Sequence, residues 1–350
     1  MQQNFYMSIK SSTAQQPLPG SSPDSLSDSA DRRARAIVFD APGKLSLQWF
    51  QTPELEAGDL LIDVHASGIS TGTERLLWDG DMPDFPGMGY PLIPGYEAVG
   101  EVTAVGLDCT LSIGDFVFVG GSRCFSSMRS LFGGAASRLV VPEEKVVPIN
   151  AALGSTGLLL ALAATAHHAL HAGGSGAPFP DLIIGHGVLG RLMARLIIAL
   201  EQPVPTVWEI SEARQGSNLD YPVVHPQHDE NVNYQHIIDV SGDSDILDRA
   251  IKHLAKKQPA SLPPQITLAG FYKDALSFQF AAAFMKEVRI QIAAEWLPED
   301  MQAVSGLVNS GVLSLDGLIT HTASADEAVQ AYATAFRDHT CLKMALDWRN

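Results

Sequence analysis

Residues 181–200 read DLIIGHGVLGRLMARLIIAL: a short apolar run, a glycine-rich turn, and a longer run with helical spacing. The turn is G-x-G-x-x-G, a weak pattern alone and a specific one when it follows a strand and opens a helix, as here. Gly185 permits the tight turn, Gly187 lets a pyrophosphate approach the backbone, and Gly190 lets the helix pack on the strand. His186, Val188 and Leu189 fill the remaining positions, and the diphosphate is expected at the positive end of the helix dipole.

Working downstream, VPTVWEI is a second strand, and Glu209 ends it about twenty residues beyond the motif, where a carboxylate accepts hydrogen bonds from an adenosine ribose. A 2′-phosphate would meet like charge there, so the cofactor expected is NAD, with Arg214 keeping NADP open. YPVVH, HIIDVSG, QITLAGF and VRIQIAA supply further strands, with the helix-like DSDILDRAIKHL between two of them. Strands alternating with helices specify a doubly wound parallel sheet over 158–296. Ser241 and Gly270 fall at the carboxyl ends of such strands, where ligands bind in this architecture.

Upstream, RAIVF, KLSLQWF, LLIDVHASG, AVGEVTAVG, GDFVFV and SRLVVP are short strand-like runs separated by Gly and Pro, which indicates a compact β-rich domain over 34–157. The helix and strand pieces over 297–350 are too few for a domain of their own and are expected to rejoin it. Residues 1–33, rich in Ser, Gln, Pro and Asp, lack the apolar content to order themselves and have neither the apolar segment nor the cleavage pattern of a secretory signal. A disordered tail is expected.

At 350 residues and 46% hydrophobic composition, both domains can be given a core. The formal charge of −16 argues against a nucleic-acid partner, whose phosphates are neutralised by Lys and Arg. The best apolar run, Leu153 to Leu170, is broken by Gly154, Gly157 and two histidines, so no transmembrane segment is expected. Three cysteines without a C-x-x-C pair suggest neither a disulfide framework nor a zinc knuckle, and reduced thiols fit a cytoplasmic protein.

The order AIVFDAPGKLSL, PGYEAVGEVTAVG, GDFVFV, GGAASRLVVPEEKVVPI, ATAHHAL, GHGVLG and a returning end LKMAL resembles the medium-chain dehydrogenase/reductase superfamily over 34–349. That resemblance implies an α/β fold of a GroES-like catalytic domain plus a Rossmann cofactor domain, and a homodimer joined through cofactor-domain sheets. SGISTGTERLLWDGDMPDFPGMGYPLIPGYEAVG, LFGGAASRLVVP and AAFMKEVRIQIAAEW are similar to a branch that oxidises a 1-hydroxyethyl group on a tetrapyrrole pigment to acetyl, with NAD as hydride acceptor. The implied substrate is an apolar tetrapyrrole, which would keep a cytoplasmic enzyme beside photosynthetic membranes. A zinc-free quinone or enone reductase and a non-catalytic NAD-binding protein are the alternatives.

One departure matters. Zinc-dependent members carry cysteine, histidine and cysteine where this chain has Ser70, Tyr96 and Ala161, and the lobe for a structural zinc is missing. Serine, tyrosine and alanine cannot supply the ligands of a catalytic zinc, so no metal is expected. The groups at that place then become the catalytic candidates: Ser70 and Thr71 to orient the hydroxyl, Tyr96 to exchange a hydrogen bond with it, Glu97 to orient or relay, and His167 or His168 as an alternative base. Trp78, Phe85, Met88 and Tyr90 are expected to line an apolar slot, with Phe125, Phe132 and Trp296 as further walls and Arg75, Arg123 or Arg129 facing a substrate carboxylate.

Overall fold

The computed structural model describes residues 32–83, 88–174, 176–216, 219–258 and 261–349. The expected tail lies outside them except for its last two residues, and so does Phe85.

Leu182–Ile184 is a fully buried strand, and it is central because both faces of it are covered. Six parallel strands form its sheet in the order Val223–Val224, Thr206–Trp208, Leu182–Ile184, His236–Asp239, Gln265–Leu268, Arg289–Ile292. The chain therefore winds one way from Leu182–Ile184 and then the other, and the reversal opens a crevice at the carboxyl ends of the strands. Helix Val188–Ala199 starts at Gly187 and turns Val188, Leu192, Met193, Leu196 and Ile197 inward, the 3.6-residue spacing of one buried face. Helix Leu160–His171 packs beside it, its alanines allowing close approach.

The first half of the chain builds two sheets. Asp59–Ile69 is the organising strand, alternating half-buried and buried residues, and it pairs antiparallel with Ala98–Val105, Arg138–Pro142 and Met344–Asp347. Arg33–Ala41 pairs with Lys44–Gln51 and Leu92–Ile93 in a smaller sheet. After the cofactor-type sheet, helix Pro298–Asn309 still packs in the same core as Leu160–His171. The chain rejoins the first sheet through His321–Ser324, parallel to Met344–Asp347.

By length and composition alone, Ala151–His171 is apolar enough to cross a bilayer. Here it is two helical pieces broken at Gly154, whose φ of 50° and ψ of −132° are not helical, and its second piece is a core helix. Cys109, Cys124 and Cys341 are free thiols.

Candidate active site

The nucleotide turn behaves as its glycines require. Gly185 has φ +105°, a conformation that disfavours a side chain, and a Cβ on Gly190 would sit 1.9 Å from the Gly185 carbonyl oxygen. At Gly187 a Cβ would meet nothing within 4 Å, so the space above it is open. No side chain caps the helix that follows, which leaves its first N–H groups facing that space. An open cradle of uncapped amides fits the diphosphate of a nicotinamide dinucleotide.

Glu209 is buried at the end of its strand and accepts the backbone N–H groups of His186 at 3.3 Å and Ser211 at 2.8 Å. These bonds fix its carboxylate and leave lone pairs for a ribose. The His186 ring turns away into the protein, bonded to the Arg214 carbonyl at 2.6 Å and the Tyr221 hydroxyl at 2.9 Å. Burial lowers its pKa to about 4, so it stays neutral and contributes its backbone rather than its ring to the turn. Val188 is buried and Leu189 half-buried, both in the core under the turn. Arg191 is committed to the carbonyls of His186 and Arg214, and Arg214 to that of His339.

At the neighbouring strand ends, Ser241 donates its hydroxyl to Asp239 at 2.7 Å, and Gly270 leaves room for the Tyr272 hydroxyl, which also bonds Asp239. Burial raises the Asp239 carboxyl to about 6. The sequence reading missed this Asp239–Tyr272 pair, because only the three-dimensional turn brings the tyrosine back over the strand.

The second group of candidates sits in the antiparallel domain, on the turn SGISTGTERLL at the end of strand Asp59–Ile69. Tyr96 donates its hydroxyl to Ser70 Oγ at 2.9 Å, and the Thr73 backbone N–H reaches the same oxygen at 3.3 Å. Ser70 is buried and Thr71 half-buried. Burial, and after it the charge of Glu97, push the Tyr96 phenol well above its ordinary value, so it remains a proton-bearing donor. Glu97 is fully buried in contact with the equally buried Lys343 ammonium. Burial drives the Glu97 carboxyl up and Lys343 pulls it back. Gly68 makes the contact possible, since a Cβ there would lie 2.2 Å from Glu97 Oε2.

A second carboxyl, Glu74, is buried in the same corner, facing the Tyr332 hydroxyl and the Ser70 backbone amide without a well-formed hydrogen bond to either oxygen. Burial raises it to about 8, partly offset by Tyr332 and Lys343. Glu74, Tyr332 and Lys343 also escaped the sequence reading. Glu74 was legible only as a charge in a small-residue turn, and its partners lie far along the chain.

His167 does not join this corner. Its Nδ1 bonds Asp300 at 2.7 Å, His168 bonds the other Asp300 oxygen at 2.9 Å, and the His167 ring lies 4.2 Å from that of His171. The two histidines clamp helix Leu160–His171 to helix Pro298–Asn309, a structural task in place of the expected base.

The expected slot also changes. Trp78 packs against Phe39 and Phe336, and Met88 and Tyr90 rest on the same core, with the Tyr90 hydroxyl bonded to the Leu77 carbonyl. Phe125 is buried against Phe50. The aromatic ring at the hydroxyl corner is Phe132, edge-on to Tyr96 at 5.5 Å and partly exposed. Arg75 pairs with Asp79, and Arg129 holds the Tyr90 carbonyl.

Zinc does not fit this corner. Ser70, Tyr96 and Ala161 offer neither thiolate nor imidazole, and among the described residues no group of three His, Cys, Asp or Glu could hold a metal.

An open parallel sheet with a glycine cradle, facing a hydroxyl corner on an antiparallel domain, defines a dehydrogenase of the medium-chain class. Residues 56–151 match the alcohol dehydrogenase GroES-like domain. L-idonate 5-dehydrogenase from Escherichia coli superposes with a TM-score of 0.77 at 16% identity, covering 90% of this chain and 98% of that one. A dehydrogenase from Sinorhizobium meliloti bound to NADP superposes at 0.74, with 19% identity over 90% of this chain and 99% of that one.

Much nearer in sequence is the 2-desacetyl-2-hydroxyethyl bacteriochlorophyllide A dehydrogenase of Cereibacter sphaeroides, 50% identical over 91% of this chain and 99% of the relative. Its counterpart in Rhodobacter capsulatus is 48% identical over 90% and 98%. The chain belongs to this bacteriochlorophyllide A dehydrogenase family of the medium-chain dehydrogenase/reductase superfamily.

Proposed function

We propose that this chain oxidises the 3-(1-hydroxyethyl) group of a bacteriochlorophyllide, or of the corresponding chlorophyllide, to 3-acetyl with NAD as hydride acceptor, a step of bacteriochlorophyll synthesis. Two relatives at about half identity over nearly their whole length support the substrate. The observation that carries the chemistry is the Tyr96–Ser70 hydrogen bond.

A hydroxyl has two acceptor sites and one donor. Tyr96 and the Thr73 amide occupy both acceptor sites of Ser70, so the Ser70 hydrogen is the part left to offer. Ser70 therefore acts as a donor to the substrate oxygen, holding the negative charge that develops there as the alcohol proton leaves and that is spent in forming the carbonyl as hydride departs from carbon. Tyr96 fixes the rotor. Glu97, committed to Lys343, orients the corner from beneath. Thr71, the adjacent and half-buried hydroxyl, accepts the alcohol proton while giving up its own to solvent water, so the proton is released to the medium. Gly185–Gly190 would hold the diphosphate of NAD, Glu209 would take its adenosine ribose, and the Ser241 and Gly270 turns would lie toward the nicotinamide half, which would supply the hydride acceptor.

Turnover proceeds without zinc in this reading. The test is incubation of metal-analysed protein with NAD and the hydroxyethyl pigment, following NADH and the acetyl product together. Production of both without stoichiometric zinc is expected. Dependence on added zinc would overturn the metal-free reading, and reduction of a quinone with no alcohol turnover would favour the enone reductase alternative. Tighter binding of NADP than of NAD would remove Glu209 from its assigned place. We read the enzyme as a homodimer working in the cytoplasm beside photosynthetic membranes.

A further inference from the structure

Lys273 and Asp81 form an ion pair at 3.3 Å, each side chain about half exposed. The pair links two elements that flank the crevice. Lys273 follows Gly270, on the crest of the cofactor-type sheet. Asp81 follows helix Thr73–Asp79, whose first turn carries the amide bonded to Ser70. A helix of that length is about 10 Å long, so Asp81 lies about a tetrapyrrole's width from the Ser70 corner.

Tyr272 is drawn inward onto Asp239, while Phe271 and Lys273 on either side of it are exposed. An aromatic face and an ammonium thus flank one anchored residue. Arg75 pairs with Asp79 within its own helix, Arg129 holds the Tyr90 carbonyl and Arg123 is exposed, whereas the Lys273 pair alone among these cations bridges the two elements. A chain of formal charge −16 repels an anionic substrate at long range, so a carboxylate binding here needs a local cation. An exposed ion pair is worth little and exchanges partners readily.

We propose that Lys273 selects substrates bearing a peripheral carboxylate, and that Asp81 competes with that carboxylate in the empty site. The inference rests on the pigment reading above, in which the macrocycle carries a free propionate. On binding, the propionate takes the ammonium from Asp81 and the macrocycle lies against Phe271.

The experiment compares the hydroxyethyl pigment as free acid with its methyl ester, in wild type, Lys273→Gln and Asp81→Asn. Wild type should show a KM about fivefold lower for the acid, the scale of one partly shielded ion pair. Lys273→Gln should raise the acid's KM to that of the ester with kcat little changed. Asp81→Asn should move the acid the other way, lowering its KM about two- to threefold by removing the competitor. Equal KM for acid and ester in wild type, or a Lys273→Gln variant that weakens both alike, would overturn the assignment while leaving the pigment reading standing. Absence of turnover with both forms in wild type would sink that reading, and this one with it.

Discussion

Ser70 and Glu74 sit four positions apart and do opposite things with a proton. Ser70 offers one outward hydrogen because Tyr96 and the Thr73 amide saturate its oxygen. Ser70→Ala should therefore lower kcat about 10²- to 10³-fold, the usual effect of losing a donor to a developing oxyanion. Tyr96→Phe should cost less, about tenfold, because the Ser70 donor survives but loses its fixed direction. Steady-state kinetics on both variants decide the matter, and full turnover in both would remove this corner from the reaction. Glu74 holds its proton in the folded state to about pH 8, against 4.5 for the ordinary group. Between those values the native state binds more protons than the unfolded state, so stability falls as pH rises, by up to about 1.4 kcal/mol per pH unit. Glu74→Gln removes that dependence. Melting temperatures should show the variant gaining on wild type at pH 8 and losing the advantage near pH 5; an equal difference at both would show that Glu74 ionises freely when folded.

At the scale of elements, the glycine turn separates stability from binding. A side chain at Gly190 collides with the Gly185 carbonyl, whereas one at Gly187 enters open space. Gly190→Ala should lower the melting temperature by several degrees, and Gly187→Ala should leave it unchanged while weakening NAD binding at least tenfold by filling the diphosphate's place. Calorimetry of both variants with and without NAD reads the two effects separately, and normal NAD affinity in Gly187→Ala would move the diphosphate elsewhere. This turn was legible in the sequence because its strand, glycines and helix are contiguous. The hydroxyl corner was half legible: Ser70 and Tyr96 were placed by what they replace, yet the bond between them was not. His167 misled, since a histidine on a helix reads the same whether it faces a substrate or, as here, Asp300 on another helix. Trp78 misled for a related reason, an aromatic beside a glycine-rich loop being as fit for a core as for a slot. Glu74, Tyr332 and Lys343 meet only through long-range packing, which no local pattern records.

At the scale of the whole molecule, the parallel sheet has an exposed apolar edge. Arg289–Ile292 ends the parallel sheet with Ile292 77% exposed, and the helix before it exposes Phe280, Phe284 and Met285. An exposed apolar edge strand is a template for pairing, and the homodimer proposed above would join through this edge. Sedimentation should show a dimer for wild type and a monomer for Ile292→Lys combined with Phe284→Lys; a wild-type monomer would end that reading. The other end of the molecule carries a constraint in time. Glu97 is made early and Lys343 late, and strand Met344–Asp347 inserts between His321–Ser324 and Asp59–Ile69. On the ribosome, the first domain must therefore wait with an unpaired acid in its interior until nearly the whole chain has emerged. A nascent chain that has emerged beyond Asn309 but not as far as Lys343 carries every strand and the glycine turn of its nucleotide cradle, while its hydroxyl corner is still unfinished.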